Sequence, residues 1–283
     1  MTPGCERGNP APKVVCNEGA HVSLPDLDGL IAAAEAAADV AGAVIRPFFR
    51  AGVAADLKKD ASPVTIADRT AELALRAVIS ERFPAHGIIG EEFGVTNPGA
   101  GLRWVLDPID GTRAFINGRP VFGTLIALLA DGKPILGVID QPVTGERWIG
   151  AAGRPTRFRG NFGGQAGSRV CATLAEAELS LTSDEVFSGD EKQRWARLRD
   201  AAKRYSYGGD CYAYGLIALG HIDVIAEATM NIWDWAALVP VVEGAGGRMT
   251  DWHGRALTPD SDGHTLAVGD KRLLGPAVDL LTG

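Results

Sequence analysis

Between residues 87 and 151 the chain passes through "GIIG" (87–90), "WVLD" (104–107), "FGTLIALL" (122–129), "PILGVID" (134–140) and "ERWIGAA" (from 146), apolar runs bounded by Gly, Asp or Pro. Short apolar runs separated by turn residues are strands, and their close succession predicts a meander-like sheet. Such a sheet needs a layer to cover it. The preceding segment offers one: Leu27, Ile31, Ala34, Ala38, Ile45 and Phe48 recur near the helical period and predict an Ala-rich helix from 26 to about 49. A second helix is predicted over 65–83, with Ala71, Leu75, Val78 and Ile79 inward, and "LKKDASPVT" between the two reads as a loop.

After Gly167 the pattern changes to helices near 191–204 and 212–220, a strand "IDVIAE" at 222–227, a helix from Trp233 and a strand "TLAVG" at 265–269. The expectation is a mixed α/β (α+β) fold with an N-terminal half over 25–165 and a C-terminal half over 166–283. Residues 1–24 are Pro- and Gly-rich and aperiodic, and read as a disordered extension.

Composition narrows the function. A net charge of -7 over 283 residues argues against nucleic acid as a partner, because phosphate backbones are met by surplus Lys and Arg. No run approaches a membrane span and the N-terminus lacks the plan of a signal peptide, so no membrane partner is expected. Cys5, Cys16, Cys171 and Cys211 show no C-x-x-C spacing, which fits neither a disulfide framework nor a zinc site and points to the cytoplasm. The four histidines beyond residue 80, His86, His221, His253 and His264, lack metal-ligand spacing and read as surface or loop residues.

The densest chemistry lies in "DPIDGT". A strand ending at Asp107, followed by Pro108 and a turn, would project Asp107 and Asp110 to one side with the Ile109 carbonyl between them, a set of hard oxygen ligands suited to Mg²⁺. Gly111 and Thr112 follow, where backbone N–H groups opening a helix would suit a phosphate. The plain alternative is a turn, which Asp, Pro and Gly favour for local reasons. Other acids carry the same ambiguity. Glu91 and Glu92 follow the strand "GIIG"; Asp68 stands three residues after Thr65, the spacing of a capping box. Asp234 is at a helix start, where Asp caps, and Glu227 ends a strand. The i, i+3 spacing of Asp107 and Asp110 also departs from the D-x-D-x-T of covalent-aspartate phosphatases, so Asp107 reads as a ligand rather than a nucleophile.

Taken together, "SPVTIAD", "GEE", "DPIDGT" and "WDWAA…EGAGG" resemble the inositol monophosphatase superfamily over residues 27–270. The resemblance implies the layered αβαβα sandwich of the inositol monophosphatase and fructose-1,6-bisphosphatase type, a homodimer, and a small phosphorylated substrate. It further implies that Glu91, Asp107, the Ile109 carbonyl, Asp110 and Asp234 hold two or three Mg²⁺ ions. Asp68 and Thr112 would orient and deprotonate the attacking water, Glu91 assisting, in a direct in-line step without a phosphoenzyme. Gly111 and Thr112 would bind phosphate, and Glu227 and Asp234 the alcohol portion.

Within that superfamily, "DPIDGTRAFINGRPVFGTLIAL" and "YGGDCYAYGLIALGHIDVIAE" lean toward histidinol-phosphate phosphatase, an enzyme of histidine biosynthesis. Ala114 and Leu238 stand where inositol-type members more often have Asn and Gly. Histidinol phosphate carries an ammonium and an imidazole, so its pocket should hold an extra carboxylate; Asp210, with Glu227, is the candidate, its alternative being a helix cap. An inositol-1-phosphate or broad sugar-phosphate phosphatase is the other reading, and a non-catalytic partner-binding protein a third. Pro240, inside the helix after Asp234, should kink it or remove one hydrogen bond.

Overall fold

The computed structural model describes residues 26–52, 54–57 and 63–283. The expectations for residues 1–24, for Cys5 and Cys16, and for the middle of "LKKDASPVT" lie outside the described residues.

Helix α1 (Leu27–Ile45) is capped by the Asp26 carboxylate, which accepts the Gly29 N–H, and buries Leu30, Ile31, Ala34, Ala37, Ala38, Ala41 and Ile45. It stops short of the predicted end because Pro47 supplies no N–H, and Arg46–Phe48 tightens into a 3₁₀ turn. Strands β1 (Ala55–Leu57) and β2 (Pro63–Thr65) pair antiparallel, so the ends of the predicted loop are a short ribbon. Helix α2 (Ile66–Arg82) follows at once and packs beside α1.

The predicted meander is the core of a larger sheet. Its strands are β3 (Gly87–Gly90), β4 (Gly94–Thr96), β5 (Leu102–Asp110), β6 (Gly123–Ala130), β7 (Lys133–Gln141), β8 (Glu146–Ala151) and β9 (Arg154–Arg159), in the order β4-β3-β5-β6-β7-β8-β9. A short helix, α3 (Thr112–Ile116), lies between β5 and β6. From β5 to β9 every pairing is antiparallel; β3 joins β5 parallel. The chain continues through β10 (Glu178–Leu181), α4 (Glu191–Ala201), β11 (Arg204–Tyr207), α5 (Asp210–Ile217), β12 (Val224–Glu227), α6 (Ile232–Trp235), α7 (Leu238–Gly244), β13 (Arg248–Thr250), β14 (Thr265–Val268) and α8 (Leu274–Thr282). Its five strands form a second sheet, ordered β11-β10-β12-β14-β13.

Side-chain alternation then stacks the layers. Ile126 and Leu128 of β6 face α1 and α2, while Leu125, Ala127 and Leu129 face α5 to α7. On β12, Ile225 joins that middle core, and Val224 and Ala226 turn to α4 and α8. The result is the αβαβα sandwich.

The middle layer sits unusually close to the first sheet. A Cβ on Gly137 would lie 2.0 Å from the Ala237 carbonyl oxygen, and one on Gly150 2.1 Å from that of Pro240. Only glycine admits the α7 backbone at this depth. Thr156 on β9 reinforces the contact by donating to the Val241 carbonyl at 2.7 Å. Pro240 interrupts the helix expected from Trp233: it has no N–H for the Ala236 carbonyl four residues back, and the chain parts there into α6 and α7, as expected. The break lies at Ala236–Ala237, so Pro240 falls in the first turn of α7, where a backbone N–H has no helical partner.

His86 is not a free surface residue. It stacks on Phe83 with centroids 4.8 Å apart, and its Nδ1 accepts the Trp104 indole N–H at 3.1 Å. Burial holds its pKa below the ordinary value. A histidine with a lowered folded pKa contributes stability that is present above its unfolded pKa and lost as pH falls toward the folded one. Protonation would also turn the Nδ1 acceptor into a donor facing a donor. The thermal midpoint should therefore fall between pH 7.5 and 5 more steeply in the wild type than in His86→Phe, which keeps the stack; equal slopes would refute this role.

Candidate active site

Strand β5 does not end at Asp107 as expected; it continues through Pro108 to Asp110. Asp107 pairs with Leu125 and Asp110 with Gly123, so three steps on β5 are matched by two on β6. The extra residue is a bulge. In a regular strand residues three apart point to opposite faces, and the bulge reverses that, turning both carboxylates to one side. Pro108 has no N–H to lose, and its carbonyl accepts the Thr124 hydroxyl at 2.8 Å. Asp107 Oδ1 accepts the Ile109 N–H at 3.0 Å.

Asp234 reaches the same place from α6. One oxygen from each of Asp107, Asp110 and Asp234 lies within 4.8 Å of the others. Glu91 borders them: its N–H donates to the Leu106 carbonyl at 3.2 Å, and its side chain hydrogen-bonds Asp107. Burial, then the charges of Glu91, Asp110 and Asp234, pushes the Asp107 pKa well above the carboxylate range. Burial and Asp110 do the same to Asp234, and burial with Asp210 pushes Asp110 up to about 7. All of these charged neighbours are acids. Hard oxygen donors converging with mutually unfavourable charge fit a divalent cation such as Mg²⁺, which would relieve that repulsion.

The competing cap readings of Asp68 and Asp234 turn out not to compete. Asp68 Oδ2 accepts the Thr65 N–H and hydroxyl at 2.8 and 2.6 Å, closing the capping box of α2, while Oδ1 lies 3.4 Å from the Thr112 hydroxyl. The N-cap of α6 is Asn231 rather than Asp234, which stands third in the helix; there its Oδ2 accepts the Asn231 N–H at 2.6 Å in a capping box, and it still belongs to the acidic cluster. Burial raises the Asp68 pKa above its ordinary value. The Thr112 hydroxyl is also 3.1 Å from the Ile109 carbonyl, which links the two aspartates to the Asp68 side.

Gly111 has φ +84, and a Cβ there would lie 2.9 Å from Asp210 Cγ. It therefore admits both a left-handed turn and the close approach of Asp210. Asp210, at φ +42, opens α5 in a conformation that non-glycine residues rarely adopt, the kind of strain found at functional sites. No side chain caps α5, whose N-cap is Gly209, so the cap reading of Asp210 is set aside. A cavity of about 200 Å³ is lined by Asp110, Asp210, Tyr214, Glu227, Met230 and Asp234 among others. Glu227 is not an exposed strand end but buried, with Oε1 accepting the Thr182 N–H at 2.7 Å. Burial pushes Glu227 up to about 8 and Asp210 up to about 6, Arg119 and Arg113 partly opposing the latter.

Sequence reasoning missed several contributors. Cys211, buried and free, donates its N–H to Asp110 Oδ2 at 2.8 Å. Glu72 is wholly buried behind the Glu91 turn; its place four residues after Asp68, on the same helical face, was the available signal. Tyr214 and Met230 look like core residues in the sequence and left none. Trp235 packs in the core and Trp233 is only partly buried against it, while His264 lies between Glu191 (2.7 Å) and Asp262 (3.1 Å). No helix among the described residues is long and apolar enough to cross a membrane.

The profile of the inositol monophosphatase family matches residues 26–278. The chain is 45% identical over 259 residues to the chloroplastic bifunctional phosphatase IMPL2 of Arabidopsis thaliana, covering 91% of this chain and 74% of the relative. It is 40% identical over 209 residues to the histidinol-phosphatase of Mycobacterium tuberculosis, covering 71% and 78%. A solved inositol monophosphatase from Zymomonas mobilis superposes with a TM-score of 0.83 at 47% identity, over 90% of this chain and 98% of that one.

Proposed function

The chain belongs to the inositol monophosphatase family, and from that premise we propose that it is a Mg²⁺-dependent phosphomonoesterase whose substrate is L-histidinol phosphate. The phosphatase activity follows the family; the metal, the substrate and the residue roles are our reading. Glu91, Asp107, the Ile109 carbonyl, Asp110 and Asp234 would hold two or three ions, most of them from the N-terminal half. When bound, such ions make water a nucleophile near neutral pH and offset charge on the attacking and leaving oxygens of the ester.

The chain's own residues supply the rest. Thr112, its hydroxyl 3.4 Å from Asp68 Oδ1, takes a proton from the attacking water and passes its own to Asp68. The raised pKa of Asp68 makes it a better base than an exposed aspartate. Glu91 assists from the other side of the cluster. Gly111 and Thr112 hold the phosphate through backbone N–H groups.

The observation that carries the substrate is the second pair of acids. Asp210 and Glu227 line one cavity with Asp110 and Asp234, and two carboxylates drawn from water, Glu227 buried and Asp210 half-buried, favour a cation. An ammonium and an imidazolium on the alcohol portion answer that need; the hydroxyls of an inositol do not. The name of the Mycobacterium tuberculosis relative supports the same choice. Inositol-1-phosphate is the second reading, favoured by the Zymomonas mobilis structure.

Asp210→Asn and Glu227→Gln are expected to lower kcat/KM for L-histidinol phosphate on the order of a hundredfold, as loss of a charged hydrogen-bond partner does. Hydrolysis of the neutral-alcohol ester inositol-1-phosphate should change by less than about threefold, since neither carboxylate then faces a cation. Equal losses on both esters would refute the cation-binding role.

A further inference from the structure

We propose that Glu72 and Arg76 of α2 are positioning residues that set the metal affinity of the acidic centre by clamping the turn that carries Glu91; this rests on reading Glu91 as a metal-holding residue. Glu72 is 0% exposed. Its Oε2 accepts the Glu92 N–H at 2.7 Å and its Oε1 the Phe93 N–H at 3.3 Å, so it binds the two backbone donors that follow Glu91. Arg76 Nε donates to Glu72 Oε1 at 2.7 Å, Nη1 to the Thr96 hydroxyl at 2.7 Å and Nη2 to the Gly94 carbonyl at 2.5 Å. Every one of these contacts outside the pair falls within residues 92–96, the turn from β3 into β4 and β4 itself.

The turn is built around this carboxylate. A Cβ on Gly90 would lie 2.0 Å from Glu72 Oε1, so only glycine lets the side chain reach under the strand. On its other side the Glu91 N–H is fixed to Leu106 of β5, the neighbour of Asp107. Glu91 is thus held between β5 and α2. The same helix carries Asp68 one turn earlier, so the reacting-side carboxylate and the clamp share one rigid element. Arg76 neutralises Glu72, which would otherwise add another buried carboxylate behind an acidic cluster. Without the clamp, two backbone donors would lose their acceptor and the turn would have to be ordered when the cation binds, at the expense of affinity.

The test compares Glu72→Gln, Arg76→Lys and Glu91→Gln with the wild type in two titrations. One follows Mg²⁺ activation of phosphate release; the other follows Mg²⁺ binding by calorimetry without substrate. Glu72→Gln should raise the Mg²⁺ midpoint in both by roughly tenfold or more, as loss of an outer support does, with KM for the ester at saturating Mg²⁺ within about twofold. Arg76→Lys keeps the charge but loses the fork, and should raise the midpoint by about threefold. It decides the matter if Glu72→Gln fails to fold. Unchanged Mg²⁺ midpoints in Glu72→Gln and Arg76→Lys, with only thermal stability or kcat reduced, would overturn the proposal. A shifted midpoint in Glu91→Gln alone overturns the clamp and spares the role of Glu91; an unshifted one in Glu91→Gln overturns both.

Discussion

Asp107→Asn should lower the rate of phosphate-ester hydrolysis on the order of a hundred- to a thousandfold, the loss that follows removal of one preorganised charge-stabilising group. Asp107 is the most enclosed member of the cluster, 2% exposed, and its neighbours Glu91, Asp110 and Asp234 all raise its affinity for a proton. A neutral amide keeps the shape and one acceptor oxygen, but not the charge a divalent cation needs. The same change removes a mutually repelled charge, so the thermal midpoint in EDTA should be no lower than that of the wild type. That pairing separates lost chemistry from lost folding. Full activity in Asp107→Asn, or a large drop in the metal-free midpoint, would remove Asp107 from the role proposed for it.

Gly150→Ala should be the most damaging single-methyl addition to the fold. The new Cβ would meet the Pro240 carbonyl at 2.1 Å and the Val241 nitrogen at 2.3 Å, both backbone atoms of α7 that no rotamer change can move aside. Overpacking of this kind costs about 3 kcal/mol or more, which in a chain of this size is a fall of roughly 6–12 °C in Tm. Gly99, whose added Cβ meets nothing, provides the control. Because only Ala236 and Ala237 separate α7 from α6, which carries Asp234, displacing α7 should also weaken Mg²⁺ binding. A Gly150→Ala midpoint equal to that of Gly99→Ala would mean that α7 does not need its seat on the sheet.

Much of the fold was legible where apolar runs were long. The strands β5 to β8 announce themselves as apolar runs, because most of their residues are buried on both faces, and the helices α1 and α2 by period, because one face of each is buried. Strands such as β4 and β11 did not: both are short and exposed, so their composition differs little from that of a loop. In the candidate site, residue identities were readable but conformation was not. The bulge that brings Asp107 and Asp110 to one side is a backbone event set by pairing with β6, which local spacing does not encode. Asp68 and Asp234 each looked like a helix-start residue or a site residue, and each closes a capping box from the third helical position while reaching toward the site, Asp68 with its second oxygen. Asp210 and Glu227 lie on different elements and meet only at the cavity, and the shared helical face of Asp68 and Glu72 hinted at Glu72 without showing which backbone N–H groups its carboxylate would serve.

The most direct measurement is phosphate release by the wild-type chain at fixed Mg²⁺ from L-histidinol phosphate and, in parallel, from inositol-1-phosphate. The acids at 210 and 227 predict a kcat/KM higher for L-histidinol phosphate by on the order of a hundredfold, with no release from either ester in EDTA. Equal or reversed preference would contradict the cationic substrate, and undiminished release in EDTA would contradict the metal centre itself.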